Sequence, residues 1–158
     1  MKKITRSLVS MLLFVLGLAV EQVGTVSQNR PEKELLDIES RMTSAYLNKD
    51  MAAFFRSVDE ELSAFHASNP YRLDDRKTVE DGLKTFYKYS TATGLYKVQP
   101  RVQIVGDAAV VTYHFIETGE AEGGKLYAYE GKQTDVFVRK NGRWTLIHFH
   151  SSRVTKPS

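Results

Sequence analysis

The chain has 158 residues, with 22 Lys and Arg against 19 Asp and Glu, a net charge of +3 and a pI near 9.0. It contains no Cys, which excludes disulfides, a thiol nucleophile and thiolate metal sites, so the fold must rest on its own core. Residues 1–27 hold Lys2, Lys3, Arg6 and Glu21, and the rest carries 19 basic and 18 acidic residues, net +1. That balance lacks the dedicated basic patch of a nucleic-acid or membrane-surface binder, and no nucleic-acid partner is expected.

Residues 1–27 read as a signal peptide. A positive n-region, Lys2, Lys3 and Arg6, precedes an apolar run from Leu8 to Val20 that is too short to span a bilayer comfortably. Small residues allow cleavage after Ala19 or after Ser27. The expectation is a secreted or periplasmic protein with no stable membrane insertion after cleavage. Residues 28–31 read as a disordered leader. Residues 32–155 read as one domain, long enough to bury a sizeable core.

Pro31 suits the first turn of a helix. Leu35, Ile38, Met42, Ala45 and Tyr46 recur at helical spacing and predict an amphipathic helix to about Asn48. Asp50 can cap a short second helix containing Ala53 and Phe54. Residues 62–67 read as a strand, and Ser68-Asn69-Pro70-Tyr71 as a loop. Asp74 or Asp75 can cap a third helix, with Val79, Leu83, Phe86 and Tyr87 on one face.

After Gly94 the period changes to two, with Val98, Val102 and Ile104 alternating with polar residues. Gly106-Asp107 turns the chain into a strand over 109–118. Gly123-Gly124 turns it again into a strand over about 126–139. Asn141-Gly142 then closes a last hairpin carrying Trp144, His148, Phe149, His150, Ser151 and Ser152. Helices, a short strand, a helix and a four-strand meander make an α+β layout, with helices against one face of a curved antiparallel sheet.

With this order in hand, three segments carry a family resemblance: Leu62-Ser63-Ala64-Phe65, Val102 through Ala109, and Arg139 through His150 with Gly142, Trp144, His148, Phe149 and His150. Across roughly 32–155 the chain resembles the nuclear transport factor 2-like superfamily. Within it the chain is similar to the association (hub) domain of calcium/calmodulin-dependent protein kinase II and to SnoaL-like proteins. The resemblance implies a cone-shaped fold with three N-terminal helices packed on the curved sheet, and a homodimer or larger oligomer. It implies no activity, because that superfamily hosts isomerases, cyclases, dehydratases and non-enzymes.

The hub's pocket uses arginines on three strands, which by resemblance fall at Phe115, Asp135 and Ser151. A two-residue Asn141-Gly142 loop would set Asp135 opposite His148. A three-residue loop with Gly142 in a left-handed bulge would set it opposite Ile147. Only the bulged loop puts Asp135 and Ser151 on one face. The expected concave face then carries Tyr113, Phe115, Gln133, Asp135, Phe137, Ile147, Phe149 and Ser151. Trp144, Leu146, His148 and His150 fall on the other face, an expected dimer interface too apolar to leave wet.

Asp135 is the sharpest chemical candidate. A carboxylate on a covered strand must be paired, protonated or functional, and desolvation would raise its pKa to suit a general acid or base. The expected ligand pocket comprises Tyr46, His66, Tyr113, Phe115, Gln133, Asp135, Phe149 and Ser151. His148 and His150, with His114, have a spacing that can bind a divalent metal, but no carboxylate joins their face and no metal is expected. No cofactor is expected, since phosphate loops, nucleophile elbows and dinucleotide fingerprints are absent from the sequence. The first reading is an exported homo-oligomer binding a small organic ligand without catalysis. The alternative is a small isomerase, cyclase or hydratase using Asp135 as acid or base and a tyrosine as oxyanion donor.

Overall fold

The Leu35–Tyr46 stripe folds as the face of α1, Val23–Leu47, in the computed structural model, which describes residues 23–154. Leu35, Ile38 and Ala45 are buried and Met42 packs against them. The expected n-region and apolar run of the export signal lie outside the described residues. Residues 28–31, expected as an unstructured leader, are helical backbone within α1, which carries Pro31 inside rather than at its start. Proline forfeits one helical hydrogen bond and leaves the other turns intact. Among the described residues no helix is long and apolar enough to cross a membrane.

Lys49, at a positive φ of 58°, reverses the chain after α1. Asp50 then caps α2, Met51–Phe54, by accepting from the Ala53 N–H at 3.0 Å. A short 3-10 turn leads into β1, Val58–Phe65. The following loop is pinned back onto β1 by paired 2.8 Å backbone hydrogen bonds between Ala64 and Leu73. Asp75 caps α3, Arg76–Tyr89, accepting from both the backbone N–H and the hydroxyl of Thr78.

The meander follows as β2 Ser90–Val105, β3 Ala108–Ala121, β4 Lys125–Lys140 and β5 Arg143–Arg153. The sheet order is β1-β5-β4-β3-β2, antiparallel throughout except that β1 runs parallel to β5 at one edge. β2 begins directly after α3, ahead of Gly94, because that glycine follows a bulge at Thr93, between Ala92 and Gly94, and does not mark a strand boundary. A second bulge near Gln99, at φ +52°, bends the same strand. Such bulges curve the sheet into the concave surface that α1 and α3 cover.

The last hairpin corrects one expectation. Its loop has two residues: Lys140 pairs with Arg143, and Asn141 and Gly142 both take positive φ, as a primed hairpin turn requires. The change of parity comes further along. Val136 pairs with His148 and Phe137 with Leu146, so Ile147 is an extra residue bulged out of β5. Beyond the bulge Asp135 faces Phe149 and Gln133 faces Ser151, which keeps all four on the concave side. Before it, Trp144 and Leu146 also point inward, at 2% and 3% exposure, within the core with Phe137, Val111 and Leu62. They are core residues and not a dimer surface. The outer face keeps His148 and His150, joined by Phe65, which lies 44% exposed between their rings.

This assignment separates two substitutions. Leu146→Asp buries a carboxylate in the core and removes a packed side chain, and is expected to cost on the order of 4 kcal/mol or more. Phe65→Asp changes only the outer face and leaves the core packed, so it is expected to fold and to melt cooperatively at a temperature well above that of Leu146→Asp. Circular dichroism melts check both; a Leu146→Asp protein melting like the parent would contradict the observed register.

Candidate functional site

The α1 stripe that builds the core also contains an acid. Glu39 lies four residues after Leu35 and three before Met42, so the helix turns it inward, where it is 4% exposed. Lys97 on β2 and Tyr113 on β3 converge on it from the sheet. Together with Leu36, Thr43 and Leu95 they line a cavity of about 320 Å³ between α1 and the β2–β3 side of the sheet.

Lys97 Nζ donates to Glu39 Oε2 at 2.5 Å and to the Glu39 carbonyl at 2.9 Å. It also lies 4.7 Å from the centre of the Tyr113 ring. The Tyr113 hydroxyl is 3.0 Å from Asp135 Oδ2 and 3.4 Å from Glu39 Oε2. Gln133 Nε2 donates to Asp135 Oδ1 at 2.7 Å. Glu39 Oε1 is buried and has no hydrogen-bond partner. One cation thus serves two buried carboxyl groups.

Burial, with the Glu39 charge second, pushes the Asp135 carboxyl well above the usual carboxylate range, against the stabilising hydrogen bond from Gln133. Asp135 is therefore held as a neutral acid. Burial and the same two carboxyl groups push the Tyr113 hydroxyl well above 10, so it remains a donor. In chemical terms the cavity is lined by a carboxylate already paired with an ammonium group, backed by a protonated acid.

A second buried acid, Glu117, sits further along the concave face at 5% exposure. Tyr46 and Tyr127 donate to its Oε1 at 3.1 and 3.0 Å. Tyr87 donates to the Tyr46 carbonyl at 2.8 Å, and Tyr46 stacks on Phe86. Burial first, then the Glu117 charge, raises all of these hydroxyls, Tyr87 to about 12. Arg153 covers the Tyr129 ring at 4.4 Å.

Of the pocket residues expected from sequence, Tyr113 lines the cavity, and Gln133 and Asp135 stand directly behind it. Phe115 and Ser151 share the concave face with Asp135, but their sites are occupied. The Phe115 ring lies over Gly131, where an added Cβ would come within 2.2 Å of it. Ser151 Oγ accepts from the Ala67 N–H at 3.2 Å. Phe149 packs edge-on against His66, which is exposed and shares a 2.7 Å hydrogen bond with Ser68. Tyr46 belongs to the Glu117 cluster. Asp135, His66 and Tyr46 are not brought together. His148 Nδ1 is 2.8 Å from the Ser63 hydroxyl. Among the described residues no group of three His, Cys, Asp or Glu is arranged to hold a metal.

Glu39, Lys97 and Glu117 do not stand out in the sequence as site residues. The available signals were a charge inside the α1 stripe, and acids or bases in phase with the buried alternation Ala109, Val111, Tyr113, Phe115, Glu117.

The calcium/calmodulin dependent protein kinase II association domain family matches residues 31–155. The delta subunit of calcium/calmodulin-dependent protein kinase type II from Oryctolagus cuniculus is 25% identical over 131 residues, covering 77% of this chain and 23% of that protein. The Caenorhabditis briggsae calcium/calmodulin-dependent protein kinase type II is 24% identical over 147 residues, covering 87% of this chain and 26% of that protein. The chain spans about a quarter of the length of these curated relatives. Among solved structures, the association domain of the C. elegans kinase superposes with a TM-score of 0.64 at 21% identity, covering 80% of this chain and 98% of that one. A nuclear transport factor 2-like protein from Streptomyces avermitilis, described as a candidate dehydratase, gives 0.74 at 17% identity, covering 81% and 99%. The fold is the nuclear transport factor 2-like fold.

The raised Asp135 pKa fixes the sign of a pH effect. The unfolded carboxyl ionises near pH 4, whereas the folded one does not, so its contribution to stability is complete below that pH. It is lost by up to about 1.4 kcal/mol per unit as pH rises towards the folded pKa. Asp135→Asn, an isostere of the neutral acid, is expected to melt like the parent near pH 4 and above it by pH 8. Melts across that range check this; a parent that gains on the variant with rising pH would contradict a neutral Asp135.

Proposed function

The chain belongs to the calcium/calmodulin dependent protein kinase II association domain family, and from that premise we propose that it is an exported, self-assembling protein that binds a small organic ligand in the α1–β2–β3 cavity. The family implies self-association. The observation that carries the ligand reading is the half-open cavity itself, whose polar lining is the Glu39–Lys97 pair and Tyr113 among apolar walls from Leu36, Leu95 and Val111.

Charge sets the ligand class. Lys97 is already committed to two Glu39 oxygens, so its charge is spent on Glu39 and not on a ligand. A carboxylate ligand ~4 Å from Glu39 would meet repulsion from it on the order of 4 kcal/mol at an effective dielectric near 20. A neutral hydroxylated ligand or a cationic aromatic one avoids that repulsion. The positions that by resemblance carry the hub's arginines are Phe115, Asp135 and Ser151 here, which removes those carboxylate-binding charges.

Assembly is assigned to the outer face of the sheet, as a two-fold dimer or a larger closed ring. Phe65 is exposed there against His148 and His150, and Val98 and Ile116 are exposed on the same face towards the opposite edge of the sheet. Export rests on Lys2, Lys3, Arg6 and the apolar run to Val20.

In thermal-shift assays catechol and tyramine are expected to raise the melting temperature, and acetate and succinate are not. A ligand at 100 times its Kd adds about 2.7 kcal/mol, a shift of several degrees for a domain of this size. Glu39→Gln should remove the shift. Clear stabilisation by a simple carboxylate would contradict the charge argument. Native mass spectrometry of the exported protein is expected to give a dimer or larger assembly of chains starting near Val20 or Gln28. Monomers, or chains retaining residues 1–19, would contradict assembly or export respectively.

A further inference from the structure

We propose that a second cavity, on the flank of α1 turned away from the Glu39–Lys97 pair, binds the phosphoryl group of a small soluble phosphomonoester. Helical spacing sorts the residues of α1 to different flanks. Leu36, Glu39 and Thr43 line the cavity beneath the helix, whereas Ile38, Arg41, Ala45 and Asn48 line one of about 200 Å³ between α1 and α2. Arg56 and Ser57, from the 3-10 turn that leads into β1, complete it. Ile38 and Ala45 are buried core residues, so the cavity reaches down to the core from the surface.

Charge and donor count select the ligand. Arg41 and Arg56 bring two guanidinium groups to one small space, and among the described residues neither forms an ion pair, whereas Arg72, Arg76 and Arg139 each pair with an acid. The one acid of the lining, Asp50, has Oδ1 committed to the Ala53 N–H at 3.0 Å as the cap of α2. Two cations against that one anion leave the lining at net +1. Guanidinium forks match phosphate oxygens bidentately and stay charged at any working pH. Ser44 and Ser57 add hydroxyls. Asn48 Nδ2 donates to the Ser44 carbonyl at 2.8 Å and to Ser44 Oγ at 3.4 Å, so the Ser44 hydroxyl keeps its own proton to give to a ligand. Two forks and two hydroxyls exceed what the two oxygens of a carboxylate can use. They match the three terminal oxygens and near-double charge of a phosphomonoester.

This site stands apart from the cavity beneath α1, with which it shares no lining residue. The two cavities have opposite preferences, because Lys97 is spent on Glu39 in one and the arginines are unspent in the other. Arg41 and Arg56 are both exposed, so either can be replaced without disturbing the core.

The probe is inorganic phosphate, titrated into the purified protein by calorimetry at fixed ionic strength, with acetate as the comparison anion. One phosphate is expected to bind per chain, and acetate at least about 10-fold more weakly. Arg41→Gln and Arg56→Gln should each weaken phosphate at least about 10-fold, the scale of a lost charge-assisted pair, while melting like the parent in phosphate-free buffer. Arg101→Gln removes an exposed arginine from β2, at the opposite edge of the sheet from β1, and should leave phosphate binding unchanged. Glu39→Gln should leave it unchanged too. Absence of phosphate binding, acetate bound as tightly, or an equal loss in Arg101→Gln would overturn this inference. So would capture of the protein by phosphatidylcholine vesicles containing phosphatidic acid when free phosphate does not bind, which would assign the arginines to a lipid headgroup.

Discussion

Two carboxyl groups, Glu39 and Asp135, share one ammonium group inside a cone of packed side chains. Burying two charges against one is too costly to persist, because the second charge would find neither water nor a partner. The cost is avoided by a proton: Asp135 keeps one and Glu39 takes the cation. Tyr113 joins the two carboxyl groups, and Gln133 fixes the outer Asp135 oxygen. The Lys97–Glu39 pair that lines the cavity follows from this division.

The backbone devices that bring these groups together are far from the chemistry. The bulge at Ile147 turns Phe149 and Ser151 to the concave side while Trp144 and Leu146 stay there too, so β5 lines the core along its whole length. Gly131 lets the Phe115 ring lie flat on β4. That ring, Asp135 and Ser151 close the region where the hub-like resemblance expects arginines. A cavity of about 320 Å³ lies under α1, beside Lys97 and Glu39.

Local signals were legible. The α1 stripe, the Asp50 and Asp75 caps, the Gly106 and Gly123-Gly124 turns and the Asn-Gly hairpin all depend on residues within a few positions of one another. So was the concave grouping of Tyr113, Gln133 and Asp135, because alternation along β3 and β4 fixes it. The Ile147 bulge was not legible, since no glycine or other special residue marks it, and a parity change assigned to the loop turned Trp144 and Leu146 to the wrong face. Nor was the Glu39 site, whose contacts with Lys97 and Tyr113 span 58 and 74 residues. One acid in an apolar helical stripe signals a partner without saying which strand supplies it.

The proton kept by Asp135 is the claim on which the cavity's charge and its ligand class depend. A carbon-13 NMR titration of the Asp135 carboxyl reads it directly. The signal of a protonated acid is expected to persist at neutral pH and to move towards the carboxylate position when Glu39→Gln removes the neighbouring charge. An Asp135 carboxyl that titrates near pH 4, alike in both proteins, would contradict the account.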